Sequence, residues 1–334
     1  MSKRTFRLPR EGIPLLDIVS LGRGGQHEAG GRLTTEQVEQ IRRTVQRAPE
    51  VMVKVLGRNS NDLKAAARHF DYIGRKGELE LETDDGERLQ GRVGQSLLEE
   101  WDLDIDDVRR QGDLKATDSR KPPKLVHKLM FSMPPGTPPD KVVAAVRNFA
   151  REEFALQHRY AFVLHIDEPH PHVHLVLKAV SEQGVRLNIK KATLRHWRSE
   201  FARNLRLLGV SANATERAVR GESRANKIDG VFRAEQRGTS IRVRNRVELI
   251  AVELARGNLR PESGNQVMQQ TRKDVVGGWR ALSKILNREG QRDLAANVIK
   301  FVEKMPPPRT DKERIAIALL HRAHQPRMEM NMSR

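Results

Sequence analysis

The sequence predicts an α+β protein, an antiparallel β-sheet core flanked by helices and followed by a C-terminal helical region. Three observations carry that prediction. Runs rich in β-branched and aliphatic residues at 51–55, 125–133, 160–167 and 172–180 read as strands, and the last two flank a short proline-containing turn. Residues 140–154 and 191–208 read as helices; in the second, Leu194, Trp197, Phe201, Leu205 and Leu208 fall on one stripe at helical spacing. Beyond residue 246 the pattern is helical throughout, over 246–256, 271–288, 291–304 and 310–323.

Taken in order, residues 1–33 are rich in Gly and Arg and read as a basic N-terminal arm. Thr34 and Gln37 open a short helix, which Pro49 ends. After the 51–55 strand, Asp62 starts a helix that runs to Tyr72, where Gly74 and Gly77 stop it. Residues 78–82 and 88–92 flank an Asp84-Asp85-Gly86 turn as a hairpin, and 94–110 is an acidic helical stretch around Trp101. A basic loop, Ser119–Lys124, leads into the 125–133 strand. Val185–Ile189 reads as a short strand after the Gly184 turn, and 214–246, dense in Arg and Lys, as extended or irregular chain. Thr310 and Glu313 form a capping box for the last helix. The expected organisation is an arm with a short helix over 1–50, a mixed domain over 51–222, and a basic linker with helices over 223–334.

Composition narrows the function. Lys and Arg number 61 against 43 acids, a formal net charge of +18. That excess favours a polyanionic partner, nucleic acid first, over a small neutral substrate. With no cysteine, disulfides, thiolate nucleophiles and zinc fingers are excluded, and any metal must rest on His, Asp or Glu. No apolar run approaches the roughly 18 residues that span a bilayer. The basic N-terminus has no apolar stretch behind it, so a cytoplasmic protein without membrane insertion is expected. Only two tyrosines occur, Tyr72 and Tyr160.

The most informative segment is 160–177. Read with period two, Phe162, Leu164 and Ile166 face one way, and Val163, His165 and Asp167 the other; in the second strand His172, His174 and Val176 share a face. A hairpin closed at 168–171 sets Asp167 opposite His172 and His165 opposite His174, with opposed Cβ atoms about 5 Å apart. His165, His172 and His174 then converge, an imidazole set suited to a catalytic divalent ion with open coordination positions. His170, between two prolines, is a further candidate ligand or DNA contact, and Asp167 or Glu168 is a candidate partner for a ligand imidazole or an extra ligand.

Here the sequence resembles the HUH endonucleases, named for two histidines around a hydrophobic residue, His172-Val173-His174 in this chain. Within them it looks like a conjugative relaxase, a mobilisation nuclease of the VirD2-like, MobP type. The resemblance is carried by the 125–133 strand with its closing Ser132-Met133-Pro134, the HxDxxHPHxH pattern at 165–174, the 184–189 segment and the helix bearing Leu194, Arg198 and Phe201-Ala202. The Gly209–Gly221 stretch adds to it, and the resemblance covers 51–222.

The resemblance implies the HUH relaxase fold, with Tyr72 as nucleophile and His165, His172 and His174 as ligands of one divalent metal ion, Mn2+ or Mg2+. It implies nicking of one strand at the nic site of a plasmid or integrative-element transfer origin, through a covalent 5′-phosphotyrosyl intermediate that is later rejoined. It also implies single-stranded origin DNA, relaxosome accessory proteins and a type IV secretion coupling protein as partners. The expected location is the bacterial cytoplasm, with transfer to the recipient on the bound DNA. Tyr72 precedes the histidine motif, as in relaxases; rolling-circle initiators carry theirs after it. Arg75, Lys76, Arg120, Lys121, Lys124, Ser132, Lys190, Lys191 and Arg195 are the candidate DNA contacts, expected to group around one face, and His69 shares a helix face with Tyr72. The competing readings are an HUH replication initiator or transposase, a metal hydrolase of small substrates, and a non-catalytic DNA-binding mobilisation accessory protein.

Overall fold

The computed structural model describes residues 17, 18, 21, 32–57, 62–108, 124–223, 237, 238 and 240–324. They fall into two compact units, one within 46–214 and the other combining 17–45 with 215–324. Helix α1 (Thr35–Val45) belongs to the second unit; α2 (Leu63–Ile73), α3 (Gly94–Glu100), α4 (Pro139–Phe154) and α5 (Lys191–Leu207) belong to the first.

The first unit is built on a six-stranded antiparallel sheet: β1 (Met52–Leu56), β2 (Leu81–Thr83), β3 (Arg88–Leu89), β4 (Val126–Ser132), β5 (Tyr160–His165) and β6 (His172–Lys178), in the order β1-β4-β6-β5-β2-β3. The protein is therefore α+β, as the sequence predicts. Alternation along the strands divides the apolar residues between two faces. On one, Leu129, Phe131, Phe162, Val173 and Leu175 are buried with Phe149 and Phe154 of α4 and Trp197 and Phe201 of α5. On the other, Val126, Ala161, Val163 and Val176 are buried with Ala66, Phe70 and Ile73 of α2 and Leu97 and Leu98 of α3. The histidines of β5 and β6 share parity with this second set, so they open on the α2 side.

The structure corrects several local readings. His165 pairs with His172, and Val163 with His174, so the hairpin register differs by two residues from the expected one. Pro169 and Pro171 lack the amide donors a ladder needs, and the turn takes up 166–171 instead. A slip of two preserves parity, and the histidines keep their common face. Val185–Ile189 is not a strand: only Val180 and Arg186 bridge, while Leu187 and Ile189 pack against the α4–α5 core. The acidic stretch breaks at Asp102, whose φ is 49°, and turns helical again over 103–108. Of the expected 78–92 hairpin only the short β2 and β3 pair.

Helices α2 and α3 meet closely. Asp71 Oδ1 accepts the Gly94 amide at 3.0 Å, and a Cβ on Gly94 would lie 2.3 Å from the Ala67 carbonyl oxygen. Backbone cannot yield as a side chain does, so Gly94→Ala is expected to destabilise the unit by about 2 kcal/mol or more. A urea midpoint that falls at constant m checks this.

His127, on the α4–α5 side, is 7% exposed; its Nε2 lies 3.3 Å from the Leu187 carbonyl oxygen and its Nδ1 is buried without a hydrogen-bond partner. Burial, then the nearby Lys124, pushes its pKa from 6.5 to about 4. Between those values the unfolded chain binds more protons, so the stabilisation is full above pH 6.5 and is lost as pH falls toward 4. The loss is on the order of 3 kcal/mol. His127→Gln is expected to flatten that acid limb in denaturant titrations at pH 7 and 4.5.

The second unit is helical: α1, α6 (Ile241–Ala255), α7 (Asn265–Arg288), α8 (Arg292–Glu303) and α9 (Asp311–His324). Helix α6 begins inside the basic stretch expected to be irregular, and Ser240 caps it by accepting the Val243 amide. Ile41, Val275, Trp279, Leu282, Leu286, Val298 and Phe301 form the core. The two expected capping boxes are present, Thr34 with Gln37 and Thr310 with Glu313. Among the described residues no helix is long and apolar enough to cross a membrane.

Candidate active site

At the ends of β5 and β6 the rings of His165, His172 and His174 lie with centroids 4.7–5.3 Å apart. One nitrogen from each falls within 4.8 Å of the others. The remaining nitrogens define the tautomers. His165 Nε2 donates to the Ile73 carbonyl at 2.7 Å, and His172 Nδ1 to the His170 carbonyl at 3.1 Å. That leaves lone pairs on His165 Nδ1 and His172 Nε2. His174 Nδ1 is buried without a hydrogen-bond partner. Burial, and then the neighbouring His165 and His172, pushes the His174 pKa down to about 3, and burial lowers that of His165. An orphaned buried nitrogen beside two other imidazoles held in fixed tautomers is a donor set that fits a divalent cation.

Helix α2 delivers the tyrosine to this cluster. It starts at Asp62, which accepts the Lys64 amide, and buries Ala66, Phe70 and Ile73 against the sheet. The opposite side of its last turn is left to Tyr72, 59% exposed. Ile73, the next residue, is fully buried, and its carbonyl takes the His165 hydrogen bond. The His69 ring stacks on Tyr72 at 6.2 Å and 19°. Past Gly74 the chain turns sharply: Arg75, Lys76 and Gly77 have φ of 51°, 59° and 103°. A Cβ on Gly77 would lie 2.5 Å from Gly91 Cα, so this position requires glycine.

The other tyrosine is placed quite differently. Tyr160 is 1% exposed and packs within the α4–α5 core, away from the histidine face. Burial, more than any neighbouring charge, pushes its pKa up to about 12.

The remaining sequence candidates separate into groups. Asp167, Glu168 and His170 are exposed in the turn, outside the set of converging ligand atoms. Ser132, buried, pairs directly with His172 across β4 and β6. Lys76 is exposed just after α2. Lys124 precedes β4 at the end remote from Ser132, about 26 Å away along the strand at about 3.3 Å per residue. Lys190, Lys191 and Arg195 are exposed on or beside α5, which packs on the sheet face opposite the histidines. The expected grouping of cations around one face is therefore not met by Lys124, Lys190, Lys191 and Arg195. Arg120 and Lys121 lie outside the described residues.

Sequence reading passed over two cations that do share the histidine face. Lys54 pairs with Met130, which pairs with His174, so all three project to one side. Lys128, 8% exposed, has the same parity; burial first, and then this cation, pushes the His69 pKa to about 4. The signal was available, because Lys128 and Ser132 share a face in any period-two reading of β4.

Residues 72–206, which run from this tyrosine through the three histidines, match the family model described as relaxase, MobA/VirD2-like, nuclease domain. Over these residues the chain is similar to the relaxase nuclease domains of that family. Three proteins named T-DNA border endonuclease VirD2 are similar to it: that of Rhizobium rhizogenes is 25% identical over 200 residues, that of Rhizobium radiobacter 24% over 199, and that of Agrobacterium fabrum 24% over 200. Each alignment covers 52% of this chain and 42%, 43% and 41% of the respective relative. The chain thus spans about two fifths of the length of these curated relatives. Among solved structures, the MobM relaxase domain, Mn-bound and in complex with plasmid pMV158 oriT DNA, has a TM-score of 0.37 and 13% identity, covering 56% of this chain and 98% of that one. The family match encloses Tyr72, Arg75, Lys76, Ser132 and the histidine cluster.

Proposed function

We propose that the relaxase domain, taken as 51–222, nicks one DNA strand at the nic site of a transfer origin and holds the product covalently for conjugative transfer. Tyr72 Oη attacks the scissile phosphorus, the bond from phosphorus to the 3′ oxygen breaks, and that oxygen takes a proton to become a free 3′-OH. The 5′ phosphate remains esterified to Tyr72. The phosphodiester bond energy is kept in the phosphotyrosyl ester, so attack by a 3′-OH reverses the step and rejoins the strand. A divalent cation, Mn2+ or Mg2+, held by His165, His172 and His174 would supply positive charge at the phosphate. Lys76, Lys54 and Ser132 would contact the backbone around it.

The observation that carries this reading is the exposed Tyr72 phenol one residue from Ile73, whose carbonyl is bonded to one of three clustered imidazoles. A merely structural aromatic at a helix end has no reason to stand beside an orphaned metal-type donor set. On this reading the protein works in the bacterial cytoplasm with accessory proteins and a type IV secretion coupling protein, and crosses to the recipient on its DNA.

The test mixes purified protein, Mn2+ or Mg2+ and single-stranded DNA from the element's own transfer region, then resolves the mixture under denaturing conditions. The expected result is a detergent-resistant protein–DNA band, absent when a chelator is added. No band on either strand, with DNA binding intact, would move the protein to the accessory class.

A further inference from the structure

Arg75 stands where the nucleophile and the histidine cluster meet. Its guanidinium lies 5.6 Å from the Tyr72 ring centroid, over the ring. The same group pairs with the Asp167 carboxylate, and its Nη2 lies 3.3 Å from His165 Nδ1. No other described side chain is recorded in contact with the Tyr72 ring, the turn after β5 and a cluster histidine together.

The backbone is bent to make this possible. Arg75 and Lys76 both sit in the left-handed region, which residues with side chains rarely adopt, and two in succession are rarer still. Such outliers persist where the surroundings hold them, and they concentrate at functional sites. The bend brings the Arg75 side chain back over the last turn of α2. A cation spread over a planar fork is suited to this place, because it meets a ring face and a carboxylate at once.

We propose that Arg75 is the positioning residue for Tyr72: anchored by Asp167, it holds the phenol against the histidine cluster instead of serving as a DNA phosphate contact. A cation on the histidines would take the His165 Nδ1 lone pair, leaving Arg75 with Asp167 and the ring. The inference rests on Tyr72 as nucleophile only for its catalytic consequence; the placement itself is testable without any reaction.

The chain's two tyrosines make that test direct. Protein grown with 3-fluorotyrosine gives two fluorine signals, and buried Tyr160 serves as the internal reference. In Arg75→Ala the Tyr72 signal is expected to move toward that of free fluorotyrosine and sharpen, with Tyr160 unmoved. Asp167→Asn should shift it the same way by a smaller amount, and Arg75→Lys should fall between. At saturating single-stranded oligonucleotide the adduct rate of Arg75→Ala should drop by about 100-fold, the cost of a misplaced reacting group. The DNA Kd, measured in a Tyr72→Phe background, should change less than threefold. An unmoved Tyr72 signal, with weakened binding and a salt slope shallower by about 0.7, would make Arg75 a phosphate contact and overturn the proposal. If Tyr160 also moves in Arg75→Ala, the fold is disturbed, and Asp167→Asn with Arg75→Lys decide by the same readouts. Wild-type protein that forms no adduct, yet shows the fluorine shifts, would sink the nicking reading and leave the positioning role standing.

Discussion

Tyr72→Phe is expected to abolish the covalent adduct and to lower nicking by at least about a thousandfold, because the substitution removes the attacking oxygen and almost nothing else. Tyr72 is 59% exposed and its hydroxyl makes no hydrogen bond among the described residues, so stability should stay within about 0.5 kcal/mol of wild type. The ring itself remains, with its stacking on His69 and its guanidinium neighbour, so DNA affinity should be kept. The chain's other phenol is not placed to replace it. The chain has no cysteine, and Tyr160 is buried in the α4–α5 core with its pKa pushed to about 12. An adduct that survives in Tyr72→Phe would therefore contradict the geometry of the whole site. Mass mapping of the linked peptide gives the answer in one experiment.

The histidine cluster was legible in the sequence because strand parity is a one-dimensional property. The expected register was wrong by two residues, yet His165, His172 and His174 still converge, since only an odd slip moves a side chain to the other face. The helix bearing Tyr72 was legible for a similar reason: Asp62 and Gly74 bound it, and helical spacing separates Phe70 and Ile73 from His69 and Tyr72.

What failed was the third dimension. Lys190, Lys191 and Arg195 are near the motifs in sequence, but the stripe of Trp197, Phe201 and Leu205 docks α5 on the far side of the sheet. A hydrophobic stripe says that a helix is buried on one face, and not which face of the sheet receives it. The Arg75–Lys76 bend was equally hidden, because neither residue is the glycine that announces a left-handed turn; Gly77 alone carries that signal. Lys54 and Lys128 were recoverable from parity and were passed over because each stands in a run that reads first as hydrophobic strand.

Replacing the orphaned imidazole separates a metal centre from a packing cluster. His174→Leu removes a buried Nδ1 that has no hydrogen-bond partner and supplies an apolar side chain of similar size among buried strand residues. Without metal, the variant should be as stable as wild type or more so, since the unmatched polar atom is a cost to the fold. With Mn2+ the order reverses. A cation that binds only the folded state stabilises it by about 2.7 kcal/mol at a hundred times its Kd, so the wild-type melting temperature should rise as Mn2+ is added. The variant, left with two of three ligands, should lose at least about 100-fold in Mn2+ affinity, more than displaced outer partners cost, and its melting temperature should not respond. Adduct formation should vanish with it while oligonucleotide binding persists. Burial of polar groups that destabilises the free protein and is relieved by a ligand is the mark of a site kept for function. Equal stabilisation of wild type and His174→Leu by Mn2+ would place the cation elsewhere and reduce the three histidines to packing.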